Sequence, residues 1–475
     1  MIRQLFWTCV ALGMAGCAVG PKYAEPEQDY PDSWSHEESS AGTKVISSEA
    51  IDTRWWSVFE DPLLEQFIAT AASHNKDLDI AMANVSSARA LRQIERSSLL
   101  PSIGAALGGS RTKSSAAISS FNSGQIRNTY DAGFDASWEI DLFGANRRAL
   151  EGSDARVGAA IANYQDVMQS TLSDVARTYY EARGLQKRIA NTKQSTQLLK
   201  ETFDVVRDRF AVGETSDFDL SRAQSEYELT HARIPNLEGE LKVTIYTLSV
   251  LLGRPPEALL AEMESVQPLP VPPDMVPVGL RSDILRRRPD IRAAERALAA
   301  SVADIGAQTA ELFPSFFLTG DIGSQARVFS DLANSSAGVW SLASFIQWSV
   351  FDGGAIRARV ELQEAENVAA LAQYEKSVLE ALRDAEAALS RYAEELETRQ
   401  RLAKGVQSRR KAVALAKELF DAGEEDYLAV VDAERQLIAG EDDLIISETN
   451  SITKLVALFD TLGGGWEAFS PATPD

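Results

Sequence analysis

The chain repeats itself at a constant distance, and this limits what it can fold into more than any other feature. "LLPSIG" at Leu99–Gly104 answers "LFPSFF" at Leu312–Phe317, 213 residues on. The offset then settles at 210: Trp138 pairs with Trp348, Gly144 with Gly354, Arg147 with Arg357 and Tyr164 with Tyr374. "FAVGE" (Phe210–Glu214) matches "FDAGE" (Phe420–Glu424), and "LLG" (Leu251–Gly253) matches "TLG" (Thr461–Gly463). The three-residue change falls between Pro314 and Trp348, where a loop absorbs it. Two copies of about 200 residues are one duplicated unit rather than a solenoid of short repeats.

Each copy contains one very long helix. No proline occurs between Ala145 and Pro235, or between Pro314 and Pro471. The 67 residues from Ala355 to Asp421 hold a single glycine, Gly405. Within them Val378, Leu382, Ala385, Leu389, Tyr392 and Leu396 recur at spacings of four and three, a coiled-coil seam with Glu, Lys and Arg on the other faces. At 1.5 Å per residue such a helix reaches about 100 Å. The stretch from Ala145 to Val212 has the same character but is looser, with Gly152, Gly158 and Gly184. Gly213 and Gly423 are expected to end the two helices as left-handed caps. Return helices are expected from about Ser216 to Leu252, kinked by Pro235, and from about Asp426 to Leu462. A shorter helix is expected ahead of each strand region, around Pro62–Leu99 and around Asp283–Leu312.

The strand regions alternate. In "YDAGFDASWEIDLFG", Tyr130, Ala132, Phe134, Ala136, Trp138, Ile140 and Leu142 fall on one face, and Asp131, Gly133, Asp135, Ser137, Glu139 and Asp141 on the other. Four carboxylates opposite Tyr, Phe and Trp suit a strand between lipid and a wet lumen. Trp340, Leu342, Ile346, Trp348 and Val350 share a side in the second copy, and "PSIGAALGGS" and "PSFFLTGDIG" supply the preceding strands. Four strands cannot close a transmembrane barrel, for which about eight is the practical minimum, and open edges are forbidden in lipid. The chain must therefore oligomerise, with two or three copies giving eight or twelve strands.

The N-terminus reads as a leader. Arg3, an apolar run from Leu5 to Met14 and the small residues Ala15 and Gly16 precede Cys17. The run is too short to span a bilayer and matches a secretory signal. A cysteine at its end is what a lipoprotein signal requires, so residues 1–16 are expected to be removed and Cys17 to carry acyl lipid. Met14, where the usual box has leucine, is a modest departure. Cys9 is the only other cysteine, so the exported chain has no thiol for a disulfide or a metal. His36, His74 and His231 are widely separated and offer no catalytic or metal constellation. With 47 Lys+Arg against 69 Asp+Glu the formal charge is −22, which argues against a nucleic-acid partner. No enzyme activity and no cofactor are expected.

The lipobox, the repeat, "CAVGPKY" from Cys17, "WWSVFEDPLL" from Trp55 and "LRSDILRRRPDIRAAERAL" from Leu280 together resemble the TolC-type outer-membrane efflux channels. The likeness is to their lipoprotein (NodT-like, OprM-like) branch, which serves resistance-nodulation-division pumps. It covers nearly the whole chain after the leader. It implies a mixed α and β fold: a homotrimer sharing a 12-stranded transmembrane barrel, continued by a coiled-coil helical tunnel through the periplasm. The expected organisation is a lipid-anchored extended segment at 17–59, repeat 1 at 60–254, a Pro-rich linker at 255–280, repeat 2 at 281–465 and a tail at 466–475. Within the repeats, strands are expected at about 101–143 and 314–352, and helical hairpins at about 145–253 and 355–463. The resemblance further implies a periplasmic gate in "GEEDYLAVVDAERQ", with Leu428 as an apolar ring and Asp432 and Arg435 as inter-chain ion pairs. Some relatives carry a second aspartate where this chain has Ala429. Gly213, Glu214, Gly423 and Glu424 become contact points for a periplasmic adaptor, and Asp131, Asp135, Glu139 and Asp141 lumen-facing carboxylates. The expected function is a passive exit duct for an RND-type pump. The same fold in a type I protein secretion system, or a coiled-coil lipoprotein tether without a pore, are the competing readings.

Overall fold

The computed structural model describes residues 18–26, 34, 46–47, 49, 52–115, 117, 125–273, 275–425 and 427–469. Cys17 and the leader lie outside the described residues, as do 118–124 of the loop between the first two long strands and 470–475 of the tail. The helices are α1 (Pro62–His74), α2 (Lys76–Ser97), α3 (Ala145–Ala211), α4 (Asp217–His231), α5 (Arg233–Leu251), α6 (Arg281–Arg287), α7 (Pro289–Ala310), α8 (Ala355–Asp421) and α9 (Tyr427–Thr461). The strands are β1 (Ile46–Ser47), β2 (Ser102–Lys113), β3 (Ile126–Ile140), β4 (Val276–Pro277), β5 (Ser315–Ala326) and β6 (Gly338–Gln347). The chain divides into two compact units, one of residues 1–27, 84–161 and 293–375, the other of 28–83, 162–292 and 376–475.

The first unit is built on an antiparallel sheet in the order β2-β3-β5-β6. The register places Asp135 opposite Gly104 on one side and Asp321 on the other, so these three share a face. Counting by twos, that face carries Asp131, Asp135 and Glu139 of β3, Asp321 of β5 and Ser341 of β6, whose hydroxyl donates to Asp321. The other face carries Ile103, Leu107, Phe134, Ile322, Trp340, Leu342 and Ile346, none less than 59 % exposed. β2 and β6 form the outer edges of the sheet.

The two halves of this unit repeat a device at the same end of the sheet. The Trp138 indole donates to the Leu99 carbonyl (3.1 Å) and the Trp348 indole to the Leu312 carbonyl (3.1 Å). The residues after Cys17 lie in the same unit: Val19 N donates to Phe143 O (3.1 Å), Arg148 Nε to Val19 O (3.2 Å), and the Tyr23 hydroxyl to Glu295.

The second unit has an apolar helical core. Val378, Leu382, Ala385, Leu389 and Tyr392 of α8 are all buried, as the spacing requires. "WWSVF" stands just ahead of α1: Trp55 stacks on Phe459 (5.5 Å between ring centres) and Trp56 on Phe469 (5.8 Å). The long helices are 67 residues each, beginning at Ala145 and Ala355.

Two helices expected to be continuous are broken. Asn75 ends α1 and starts α2: its backbone N–H bonds to Ala71 O, while its Oδ1 accepts from Asp77 N and Leu78 N. One amide thus serves two helix ends. The expected Asp283–Leu312 helix divides at Arg288, because a residue before proline is driven from the helical region and Pro289 suits the first position of a new helix. The return helix of the first hairpin is interrupted at Ala232, between α4 and α5. Pro235 explains this, lacking the N–H that would bond to the His231 carbonyl.

Candidate functional site

The site is at the hairpin tips and the start of α9, all within the second unit. Gly213 (φ 81°) and Gly423 (φ 75°) adopt the left-handed conformation. Each closes its helix with the same pair of bonds: Gly213 N to Phe210 O and Glu214 N to Arg209 O, Gly423 N to Phe420 O and Glu424 N to Leu419 O. These are the two bonds of the Schellman motif. Glu214 and Glu424 are exposed, each one residue beyond its cap. Ser216 and Asp219 then cap α4 reciprocally, fixing the direction of return.

The tips touch. The Arg209 guanidinium lies 4.5 Å from the centre of the Phe420 ring, which meets Tyr427 edge-on at 5.5 Å. A cleft of about 530 Å³ opens beside them, lined by Val205, Arg209, Glu214, Asp219, Phe420 and Tyr427. Burial, followed by the nearby Glu434 carboxylate, pushes the Tyr427 phenol well above its ordinary range, so it stays neutral.

Leu428, Asp432 and Arg435 follow on α9. Leu428 is partly exposed. Asp432 accepts from Arg435 Nη2 (2.9 Å) and from Gln436 Nε2 (2.6 Å). Both partners belong to the same helix, so within one chain the Asp432–Arg435 pair is intrahelical, where the family resemblance implies inter-chain pairs. Both side chains are well exposed, 42 % and 57 %, and a pair in such a position contributes little to folding, about 0–1 kcal/mol.

Glu434, which sequence reasoning passed over, lies in the seam. It is buried, its Oε1 2.7 Å from Lys417 Nζ of α8 and its Oε2 accepting from Thr202 Oγ1 of α3 at 3.4 Å. The signal was available: Glu434 is four residues beyond the buried Val430, so a carboxylate occupies a stripe position that helical periodicity assigns to the core. Farther along, Arg188 of α3 pairs bidentately with Asp442 (2.8 and 3.0 Å), Lys187 with Glu448 (2.5 Å), and Arg410 of α8 with Glu441 (2.8 Å).

In the sheet, Asp131, Asp135 and Glu139 occupy one face of β3, as the alternation requires. Asp141 departs from the row: pairing ends at Ile140, and the Asp141 carboxylate turns to accept from Arg147 N (2.9 Å) and Nε (3.2 Å). It caps α3, as Asp352 caps α8 by accepting from Gly354 N (2.8 Å) and Ile356 N (2.7 Å).

A family profile described as "Outer membrane efflux protein" matches the chain twice, over residues 67–254 and 280–464. The chain belongs to the outer membrane efflux protein family. This efflux protein is 31 % identical over 470 residues to the probable efflux pump outer membrane protein SepC of Pseudomonas putida, covering 97 % of this chain and 96 % of that one. It is 29 % identical to nodulation protein T of Rhizobium leguminosarum bv. trifolii, over 97 % of each. Among solved structures it superposes on the outer-membrane channel OprN with a TM-score of 0.89 at 34 % identity, covering 95 % of this chain and all of that one. The efflux protein is therefore an outer-membrane channel that extends into the periplasm and acts as the exit duct of an efflux system.

Proposed function

We propose that three copies of this internally duplicated chain close a 12-stranded barrel that continues as a helical tunnel, and that this duct passively releases small molecules for a resistance-nodulation-division pump. The observation that carries the reading is the sheet of the first unit. One face is apolar and exposed, the other holds carboxylates, and both outer strands end the sheet within the chain. An edge of this kind is stable in lipid only when it is paired. Relatives named for the efflux of toluene and other solvents favour apolar cargo and a pump over the type I secretion alternative. A passive conduit asks for no catalytic group and no cofactor.

In this reading Cys17 bears the lipid anchor, and Gly213, Glu214, Gly423 and Glu424 meet a periplasmic adaptor. Leu428, Asp432 and Arg435 narrow the periplasmic end, and Asp131, Asp135 and Glu139 line the lumen. Asp141 is better read as a helix cap. The test is single-channel conductance of the purified protein in planar bilayers, wild type beside Asp432→Ala/Arg435→Ala. Small wild-type currents that rise in the double variant are expected. If folded preparations of neither conduct, the non-conducting tether becomes the better account.

A further inference from the structure

We propose that Glu434 is a positioning residue of the gate, acting through Lys417 and Thr202 to hold the start of α9 against α8 and α3. This rests on the gate reading above. Asp432 and Glu434 are two residues apart, about 200° around the helix, so they face opposite ways. Asp432 and Arg435 sit on the exposed side, while Glu434 sits in the seam, its side chain 7 % exposed. The groups that meet it come from two other helices, Lys417 Nζ of α8 at 2.7 Å and Thr202 Oγ1 of α3 at 3.4 Å; Tyr427 of α9 feels its charge without bonding to it.

A carboxylate in such a seam is stable only with its cation present. Lys417 is 45 % exposed and therefore the weaker member of the lock. If α9 moves away from α8 and α3, the carboxylate gains water and the ammonium loses little. The pair therefore favours the arrangement seen here while keeping the alternative accessible. An apolar residue at 434 would hold the seam against any such motion. The distance from Glu434 to the next α3 attachment, Arg188–Asp442, is eight residues, just over two turns of α9. Glu434 is thus the polar tie to α3 nearest the constriction among the described contacts.

The experiment measures open probability and conductance in planar bilayers for full-length wild type, Glu434→Gln, Lys417→Gln and the exchange Glu434→Lys/Lys417→Glu, with Asp432→Ala/Arg435→Ala as reference. Heat-resistance of the oligomer is followed in parallel. Glu434→Gln and Lys417→Gln are each expected to raise open probability about tenfold, the scale of one charge-assisted bond. The exchange is expected to restore low currents, which a merely structural loss would not do. Lys417→Gln, at the exposed end, keeps the test available if Glu434 variants do not assemble. Wild-type currents in both single variants, beside an open reference, would overturn the proposal and leave the gate reading standing. A rise that the exchange does not reverse assigns the effect to packing and also overturns it. If the reference itself stays closed, the gate reading fails and this proposal falls with it.

Discussion

Gly184 lies on α3 where Thr449 of α9 packs closely against it. A β-carbon placed there would overlap Thr449 Oγ1 and come within 2.6 Å of Cγ2 and 3.0 Å of Cβ. Thr449 has little room to yield, because its hydroxyl donates to Ile445 O at 2.9 Å. Two terms oppose each other in Gly184→Ala. Helix propensity favours alanine by about 1 kcal/mol, while overpacking at a tight contact costs about 1–3 kcal/mol. Overpacking wins, and a net loss of about 1 kcal/mol is expected, lowering the apparent midpoint of thermal unfolding in detergent by about 1 °C for a chain of 475 residues. Thr449→Ala removes two of the three obstructing atoms and should be nearly neutral by itself. The double variant should recover most of the loss, a coupling of about 1 kcal/mol in a double-mutant cycle. A midpoint that rises in Gly184→Ala alone, or strict additivity in the double variant, would refute the close crossing of α3 and α9.

Asp166 has its carboxyl raised to about 6, first by burial and then by Asp290, with Arg288 opposing and Asp460 adding. Because the folded value lies above the ordinary one, stability from this group is complete below about pH 4 and is lost as pH rises through 6. Asp166→Asn should therefore stabilise by about 1 kcal/mol at pH 7.5, allowing for partial exposure, and by almost nothing at pH 4; equal melting shifts at both would count against it. At the second tip, Gly423→Ala must take a positive φ, with no clash because nothing lies within 4 Å of a β-carbon there. The cost of about 1–2 kcal/mol is pure backbone strain, expected as about tenfold faster hydrogen exchange at Glu424 with the rest of α8 unchanged.

The long helices were legible because proline and glycine mark their ends. Gly144 and Gly354 have φ of 86° and 94°, Gly213 and Gly423 end the runs, and between them nothing forbids helix. The sheet was legible because alternation survives in β3 and the register copies it into its neighbours. The breaks at Asn75 and Arg288 were not, for different reasons. Asn75 carries no breaker signal; its amide substitutes for helical bonds only once Leu251 O accepts from its Nδ2 at 2.9 Å, a contact 176 residues away. Pro289 did mark the second break, but the surrounding arginines and alanines read as one helix. Gly152, Gly158 and Gly184 read as looseness in α3, yet each is a place of close approach, to Asp304, Arg296 and Thr449 respectively. Helical periodicity shows which residues face inward, not how near the neighbouring helix comes. Asp141 is the same lesson in a strand: the alternation continues in sequence after the pairing that gives it meaning has stopped.

The character of α9 changes along its length, and the change agrees with where a duct must be adjustable. Its C-terminal half buries Ile452, Leu455, Val456, Leu458 and Phe459, all at 2 % exposure or less. Burying such side chains contributes about 1.5–3 kcal/mol each, and a helix so held moves only with its whole core. Its first half buries Val430, Val431, Glu434 and Gly440 and is otherwise fastened by ion pairs to Arg410 and Arg188. Partly exposed pairs contribute about 0–1 kcal/mol each and exchange readily with water. One helix therefore carries a fixed end and a yielding end, and Leu428, Asp432 and Arg435 lie on the yielding one. Had the apolar stripe continued to Tyr427, the tip would be more stable but could not open without unfolding its core. In the proposed gate, the polar seam is what would let this end of the helix move while the rest stays folded.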